Sequence, residues 1–419
     1  MPRVITGTFR YLLLLLIING CHPLPETVTL RFMDRPDVGG AWEYLIQSFE
    51  QQHPGHRVEL IEGPNSTDTR ESLYAMALLA QDPTYDLIFL DVTWLAKFAQ
   101  AEWLLPLDDR VDPGLLADLF PGDLKACKYQ GRLYRLPLRT DAGVLYGRAD
   151  LLSQANLSPP RTFNQLTQTA RQLMQPPQCW GYVFQGMQYE GLVVNFLEVL
   201  QGWGGEVLDS QGRVVLDQPA AVAALRWLRE LVAAPALSPP GVTTYQEEEA
   251  RVMFQKGRSV FMRNWPYAVR LMDSPKSPVA GKFGLYALPH GPQGQSTPTL
   301  GGWGFGISVY CRHPEAAFAF IRHCLAAKNQ KRLHQLTGLL PARMSVYDDP
   351  EILQTSPYLE VMRAILAQAR PRPVHPRYAQ LSDILQVRLS AALVGKMTPE
   401  AAIRAAAREI RVVLGEPDD

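Results

Sequence analysis

The chain has 419 residues, of which 47% are hydrophobic and 20% are charged, and these values are ordinary for a globular protein. Lysine plus arginine equals aspartate plus glutamate at 41 each, so the charge balance gives no electrostatic case for binding nucleic acid or an acidic polymer. Because single hydrophobic cores stop growing beyond about 250–300 residues, we expect two domains.

The N-terminal segment has the pattern of an export signal. Arg3 and Arg10 flank an apolar run over 11–18, which is shorter than the roughly 20 residues that a membrane-spanning helix needs. We therefore predict a lipoprotein signal peptide over 1–20, because residues 18–21 resemble a bacterial lipobox. Lipidated Cys21 would then anchor the chain in the periplasm or at the outer face of the cytoplasmic membrane. An ordinary signal with an incidental cysteine is the alternative.

Four further cysteines follow the predicted signal peptide, and they show no tight pairing motif. In an oxidising compartment they could form one or two disulfides, although packing explains them equally well. They are Cys127, Cys179, Cys311 and Cys324.

Strands and helices alternate in the first part of the mature chain. The predicted elements are a strand over 28–33, a helix with residues 42, 45, 46 and 49 on one face, a strand over 57–61, a helix over 69–80 and a buried strand over 86–91. This alternation predicts an α/β fold, in which ligands bind at the carboxyl ends of strands. Asp91 and the loop after Met33 lie at such ends.

The same alternation continues through the rest of the chain. We predict strands over 142–146, 180–184, 259–263, 283–287 and 300–310, helices that begin at a Thr162–Gln165 capping box, at Pro219 and at Pro314, a loop over 289–298 and an extended link over 371–376. No repeat of fixed period interrupts this pattern.

Sequence motifs of common enzymes are missing from the chain. It contains no P-loop, no G-x-S-x-G, no H-E-x-x-H and no C-x-x-C. The glycines of 302–306 precede a strand rather than a helix, so they do not predict a dinucleotide site. The histidines show no clear metal-ligand spacing, and we predict neither a cofactor nor a metal.

Tryptophans beside glycines and charged residues give a more specific signal. Trp265 follows a predicted strand, and Trp303 lies within another after two glycines. A sugar ring has apolar faces that suit indole rings and a rim of hydroxyls that suits carboxylates and guanidinium groups. These residue types are therefore compatible with a carbohydrate site.

These segments resemble the solute-binding proteins of bacterial ABC sugar importers, in particular the trehalose/maltose-binding branch. The resemblance extends over about 28–414 and is most specific over 90–94, 136–146, 185–191, 261–267, 299–303 and 340–343. Several blocks in the same order make a chance match improbable.

The resemblance implies roles for individual residues. Asp91 and Asp141 would accept bonds from sugar hydroxyls, and Arg343 and Arg70 would donate to them. The indole rings would stack on the sugar, and a backbone amide would bond a hydroxyl. The stacking rings are those of Trp265 and Trp303, and the amide is that of Gly302. Tyr267, which lies close to Trp265 in the sequence, is also predicted to belong to the site.

Two positions depart from the family pattern. The family often has a glutamate in the loop after the first strand, where this chain has Val38, so either Asp34 or Asp37 takes its place or this bond to the ligand is absent. Arg139 stands where this branch tends to have an aromatic residue, and it would replace a stacking surface with a hydrogen-bond donor. The ligand would then be trehalose, maltose, sucrose, glucosylglycerol or a similarly polar molecule.

The resemblance also implies an architecture and a mode of action. It predicts a periplasmic-binding-protein-like fold with one lobe over 28–139 plus 292–340 and a second over 140–291 plus 341–415, and with the ligand in the cleft at the hinge. The protein would act as a monomer without catalysis, and it would deliver its sugar to ABC permease subunits driven by a cytoplasmic ATPase. Two alternatives stay open: a glycoside hydrolase that uses Asp91 and Asp141, and a sugar-sensing adaptor for chemotaxis.

Overall fold

The computed structural model describes residues 27–37, 39–233 and 235–417. The predicted signal peptide, Cys21 and Val38 lie outside these described residues. Within them, no helix is both long enough and apolar enough to cross a bilayer. The four cysteines Cys127, Cys179, Cys311 and Cys324 are free thiols.

Strands and helices follow one another along the whole described chain. The first section holds β1 (Val28–Asp34), α1 (Ala41–Gln52), β2 (His56–Glu62), α2 (Thr67–Leu79), β3 (Leu87–Asp91), α3 (Leu95–Gln100), α4 (Pro113–Ala117), α5 (Pro121–Ala126), β4 (Lys128–Tyr129) and β5 (Arg132–Leu133). The middle section holds β6 (Leu136–Ala142), β7 (Val144–Arg148), α6 (Ala149–Gln154), α7 (Phe163–Leu173), β8 (Trp180–Val183), α8 (Glu190–Gly202), α9 (Pro219–Val232), a 3-10 helix (Pro240–Thr244), α10 (Glu247–Gln255), β9 (Ser259–Asn264), α11 (Ala268–Met272) and β10 (Phe283–Tyr286). The last section holds β11 (Leu300–Ile307), α12 (Pro314–Cys324), α13 (Ala327–Thr337), β12 (Leu340–Pro341), a 3-10 helix (Met344–Asp348), α14 (Pro350–Thr355), α15 (Tyr358–Leu366), α16 (Tyr378–Leu393) and α17 (Pro399–Leu414).

The first lobe is built on a sheet with the strand order β12-β6-β11-β3, beside the parallel pair β1-β2. Its core is rich in aromatic side chains that meet edge to face. Phe32 packs in this way against Trp42 and Phe305, with ring centroids 4.7 and 5.3 Å apart. Such pairs add to the stabilisation that comes from burying apolar area.

The second lobe is built on a sheet with the order β10-β7-β9-β8. Helices α8, α9, α16 and α17 supply most of its separate hydrophobic core. The predicted capping box is confirmed at the start of α7, where the Thr162 hydroxyl accepts a bond from the Gln165 backbone amide. This bond satisfies an amide that has no partner within the helix.

The chain passes from one sheet to the other at the junction of β6 and β7, beside the start of β11. Strand β6 ends at Ala142, and β7 begins at Val144 in the other sheet. Strand β11 pairs with β6 along most of its length, beginning with Leu300 opposite Ala142. A third hydrophobic cluster draws residues from both sides of this crossing, among them Phe120, Val144 and Tyr347. The lobe boundaries proposed from the sequence stay a prediction.

Sequence-predicted elements differ from the structure mainly at their ends. Helix α2 begins at Thr67 rather than 69, because the Ser66 hydroxyl caps it by accepting a bond from the Thr69 amide. The strand predicted over 142–146 is divided at Gly143 between two sheets. The strand predicted over 300–310 ends at Ile307, and the chain then turns.

Candidate functional site

Asp141, Trp265 and Gly301 meet at the crossing between the lobes. Gly301 lies opposite Asp141 in the β6–β11 ladder. A Cβ atom added to Gly301 would lie 3.1 Å from Cζ3 of Trp265 and 3.2 Å from Cβ of Asp141. The absence of a side chain at Gly301 therefore leaves room for both the indole ring of Trp265 and the side chain of Asp141.

Trp265 is held by bonds to its backbone and by a cation on its ring. Its amide donates to Oδ1 of Asn264 at 2.8 Å, and its carbonyl accepts from the Tyr146 hydroxyl at 2.8 Å. The Arg263 guanidinium carbon lies 4.2 Å from the indole centroid. The ring is only half-buried, so it is fixed in place while part of its surface stays accessible.

Trp303 is more enclosed, with only 8% of its surface exposed. It lies opposite Asp91 in the β3–β11 ladder, and its ring packs against Phe89 and Trp94. The guanidinium carbon of Arg70 lies 4.5 Å from the indole centroid. A sugar could therefore contact only a small part of this ring unless Arg70 moves.

Asp91 projects from the end of β3 and is bonded on one side only. Its Oδ1 atom accepts from the Thr93 amide at 3.0 Å, from the Thr93 hydroxyl at 2.8 Å and from Nη2 of Arg372 at 3.3 Å. Within the described residues, no protein hydrogen bond reaches Oδ2 of Asp91. This arrangement leaves Oδ2 as the acceptor that is available to a ligand.

Arg372 was missed by the sequence reasoning, although it bonds one of the predicted site residues. Besides Asp91, its guanidinium donates through Nη1 to Oε1 of Glu190 at 2.9 Å. It lies between two prolines in the predicted extended link, where no periodicity distinguishes it from other surface arginines. The signal that could have found it is the rigidity of Pro371-Arg372-Pro373, which fixes the direction of the backbone.

Asp141 forms an ion pair with Arg139, the residue that departs from the family pattern. Nη1 of Arg139 lies 3.3 Å from Oδ2 of Asp141, and both side chains are largely buried. Burial raises the pKa of Asp141 to about 6, although the charges of Arg139 and Arg263 oppose this shift. Arg139 is thus placed to neutralise the predicted acceptor and to offer its remaining N–H groups to a ligand.

The loop after β1 contributes Asp34 and Asp37 in different ways. Asp34 is buried, accepts from the Trp42 indole N–H at 3.0 Å and lies 3.3 Å from Nη1 of Arg70. Asp37 accepts from the backbone amides of Ala41 and Glu43 at 3.0 and 2.9 Å, so it caps the start of α1. The structure therefore brings Asp34 and Arg70 together, while the Asp37 carboxylate is occupied at the helix N-terminus.

A small pocket opens beside these residues. Its lining combines charged and apolar side chains, so it has both hydrogen-bonding groups and apolar surface. Its lining includes Asp34, Arg35, Asp37, Trp42, Phe89, Leu138 and Arg139. This composition matches the mixture of polar and apolar groups found in small-molecule sites.

Gly302 occupies a position in β11 that only glycine tolerates. Its φ angle is +127°, and an added Cβ would lie 2.5 Å from the Arg139 carbonyl oxygen. Its carbonyl accepts a bond from the Val92 amide at 3.1 Å. This bond ties β11 to the loop that carries Asp91, and the predicted bond from the Gly302 amide to a sugar stays a prediction.

Two predicted site residues make their contacts elsewhere. Nε of Arg343 donates to Asp118 at 2.6 Å, and its Nη1 donates to the Leu325 carbonyl at 3.3 Å. The Tyr267 hydroxyl donates to Glu248 at 2.6 Å. The structure does not link either side chain to the group around Asp141, and their binding roles stay predictions. Among the described residues, no cluster of histidine, cysteine, aspartate or glutamate is suited to a metal.

Asp123 provides a prediction about pH and stability near this site. It is fully buried on α5, and burial raises its pKa from 3.8 to about 7. Between pH 3.8 and about pH 7, the unfolded chain has lost this proton while the folded protein still binds it. Each pH unit of increase in this range therefore lowers the free energy of unfolding by about 1.4 kcal/mol. We expect Asp123→Asn to be more stable than the native chain at pH 8 by about 1–3 kcal/mol, and the difference to shrink towards pH 5.

Thermal unfolding at pH 5, 6, 7 and 8 measures this effect. Asp109→Asn, at an exposed position, is the control and should leave the pH profile unchanged. A profile of Asp123→Asn that runs parallel to the native one would show that the Asp123 carboxyl does not titrate in this range.

Two α/β lobes joined by crossing strands, with charged and aromatic side chains gathered at the crossing, define a hinged ligand-binding protein. The chain belongs to the bacterial extracellular solute-binding proteins, whose family profile matches residues 34–331. This membership confirms the family predicted from the sequence.

Individual relatives agree with the assignment. A probable ABC transporter-binding protein of Deinococcus radiodurans is 35% identical over 360 residues, which cover 84% of this chain and 85% of the relative. The structure of maltose-bound MalE3 of T. maritima superposes with a TM-score of 0.84 at 38% identity, over 92% of this chain and 100% of the other. A solute-binding protein of Agrobacterium radiobacter in complex with ribitol gives a TM-score of 0.80 at 26% identity, over 93% and 99%. These likenesses confirm the predicted two-lobed binding-protein fold.

Proposed function

We propose that this protein is the extracytoplasmic solute-binding component of an ABC importer that captures a disaccharide or a related glycoside. The observation that carries the proposal is the position of Asp141 and Trp265 next to Gly301, which places a carboxylate acceptor and a partly accessible indole ring in the same region. The 38% identity with a maltose-bound protein supports a carbohydrate ligand. The protein acts as a monomer and hands its ligand to permease subunits that a cytoplasmic ATPase drives.

Capture takes place by closure of the lobes around the sugar. Trp265 stacks on a ring face, while Asp141 and Oδ2 of Asp91 accept bonds from hydroxyls. Asp91 and Asp141 lie on strands of the first sheet, whereas Trp265 follows β9 of the second sheet. Only the closed form therefore completes the contacts, and the sugar stabilises that form. Micromolar affinity corresponds to about 8 kcal/mol, which a few charge-assisted bonds and a stacked ring can supply.

The ligand is polar and uncharged overall. Arginines neutralise the carboxylates of the cleft in pairs, as Arg139 does for Asp141 and Arg70 does for Asp34. The candidates are trehalose, maltose, sucrose and glucosylglycerol. Polyols belong in the same test, because one similar structure holds ribitol and a relative of Pseudomonas aeruginosa at 24% identity is a mannitol-binding protein.

A thermal-shift screen against these sugars and polyols tests the proposal. A ligand at 100 times its Kd adds about 2.7 kcal/mol to folding stability, which is readily detected as a rise in Tm. Hits are then measured by calorimetry, and the recovered sugar is analysed for hydrolysis. No rise with any of these molecules, or sustained cleavage of the bound disaccharide, would overturn the assignment.

We also propose that Cys21 carries a lipid that holds the mature protein at the membrane. Cys21→Ser removes the thiol that the acyl group needs, so we expect the variant to leave the membrane fraction when expressed in a bacterium that processes lipoproteins. Cys179→Ser is the matched control and should stay with the membranes. Sedimentation of Cys21→Ser with the membrane fraction would contradict lipid anchoring.

A further inference from the structure

Arg372 contacts side chains from both lobes. It lies in the segment 370–377, which joins α15 to α16 and pairs with the start of β11 through the bond from the Leu300 amide to the Arg370 carbonyl at 2.7 Å. One end of its guanidinium reaches Asp91 at 3.3 Å, and the other reaches Glu190 at 2.9 Å. Only 9% of Arg372 is exposed, whereas the side chain of Glu190 is 33% exposed, so salt screens the pair with Asp91 less than the pair with Glu190.

The two partners of Arg372 belong to different hydrophobic cores. Asp91 ends β3, whose apolar residues lie in the core of the first lobe. Glu190 begins α8, whose apolar residues lie in the core of the second lobe. Arg372 therefore bridges the two lobes, and separating the lobes would break at least one of its two ion pairs.

Glu190 is fixed on its own lobe by bonds that do not involve the cleft. Its carboxylate accepts from the Tyr378 hydroxyl at 2.5 Å and from the Ser382 hydroxyl, both of which lie on α16. Since α16 packs against α8 in the same core, Glu190 offers Arg372 an oriented acceptor rather than a mobile surface carboxylate.

We propose that Glu190 is a positioning residue that holds Arg372 over Asp91 and so forms a latch between the lobes, which stabilises the closed form before a ligand binds. The latch consists of Asp91, Arg372 and Glu190. Its existence does not depend on the proposed function, but its role in sugar capture does.

A latch of this kind has a consequence that a ligand-contacting residue does not share. The apparent Kd equals the intrinsic Kd divided by the fraction of protein in the competent form. Loss of the latch lowers that fraction for every ligand, so the affinities for two different sugars fall by the same factor. Loss of a direct contact instead changes the affinities by factors that depend on the sugar.

The test compares Glu190→Gln with Glu206→Gln in the absence and presence of sugar. Glu206 forms an ion pair at 3.1 Å with Arg370, which lies two residues before Arg372. The side chains of Glu206 and Arg370 are about half exposed, so their ion pair contributes little and Glu206→Gln is a matched control. We expect small-angle scattering without sugar to give a larger radius of gyration for Glu190→Gln than for the native and control proteins. We expect calorimetry to give an affinity loss of about tenfold that is equal for two sugars.

A second variant guards against a general loss of structure. Tyr378→Phe removes one bond that orients Glu190 and keeps the ring, so it should shift both readings in the same direction by a smaller amount. Unchanged scattering in Glu190→Gln and Tyr378→Phe, or affinity losses that differ between the sugars, would overturn the latch. If the native protein binds none of the sugars, the proposed function fails, while the scattering comparison still decides whether the latch exists.

Discussion

Replacing Trp265 by alanine is expected to weaken sugar binding at least about 30-fold, or about 2 kcal/mol, the size of a hot-spot truncation. The substitution removes the flat apolar surface beside Asp141 and uncovers the Arg263 guanidinium that lies 4.2 Å from the indole centroid. The freed volume would admit water to the carboxylate of Asp141, whose side chain is now only 15% exposed. Calorimetry with the sugar identified in the thermal-shift screen measures the loss.

Trp180→Ala is the matched control for this experiment. Trp180 is also a half-buried tryptophan of the second sheet, but it lies opposite Ser259 at the start of β9, whereas Trp265 directly follows the other end of β9. It should lower stability without changing the affinity for sugar. Native affinity in Trp265→Ala would remove this residue from the binding site.

The sequence predicted the fold well where local pattern and tertiary structure agree. The apolar run of β3 and the capping box of α7 each depend only on residues that are close in sequence. Both can therefore be predicted without knowledge of the tertiary structure. The crossing at Gly143 was read as one strand, because the pattern of residues does not reveal that the chain changes sheets between Ala142 and Val144.

The candidate site was predictable only in part. Asp141, Trp265 and Gly302 could be predicted as site residues because the resemblance covers them in continuous blocks. Arg372 could not, since its role depends on carboxylates 281 and 182 positions away in the chain. The side-chain partners of Arg343 are equally non-local, and its bond to Asp118 leaves its predicted sugar contact without structural support.

The largest effect on stability is expected from Glu198→Gln. Glu198 accepts two parallel bonds from Arg263, at 2.8 Å to Nε and 2.5 Å to Nη2, and a third from the Thr299 amide at 3.3 Å. The exposed fractions of the Arg263 and Glu198 side chains are only 1% and 4%. Removing one charge of such a pair leaves the other buried without compensation, which costs about 3–5 kcal/mol.

This loss should appear in the free energy of unfolding measured with denaturant. Glu400→Gln is the control, because Glu400 pairs with Arg226 in an exposed position where a salt bridge contributes less than about 1 kcal/mol. A loss below about 1 kcal/mol in Glu198→Gln would mean that the remaining partners of Arg263, among them Oε1 of Gln185 at 3.3 Å from its Nη1, compensate its charge.

The same substitution also tests how the site depends on the core beneath it. Arg263 supports the ring of Trp265, and Thr299 immediately precedes β11, which carries Gly301 and Trp303. If Glu198 orients both, then Glu198→Gln should weaken sugar binding under conditions where the variant is fully folded. Because no sugar needs to contact Glu198 for this to happen, an affinity loss would show that the buried ion pair fixes the geometry of the cleft as well as the stability of the lobe.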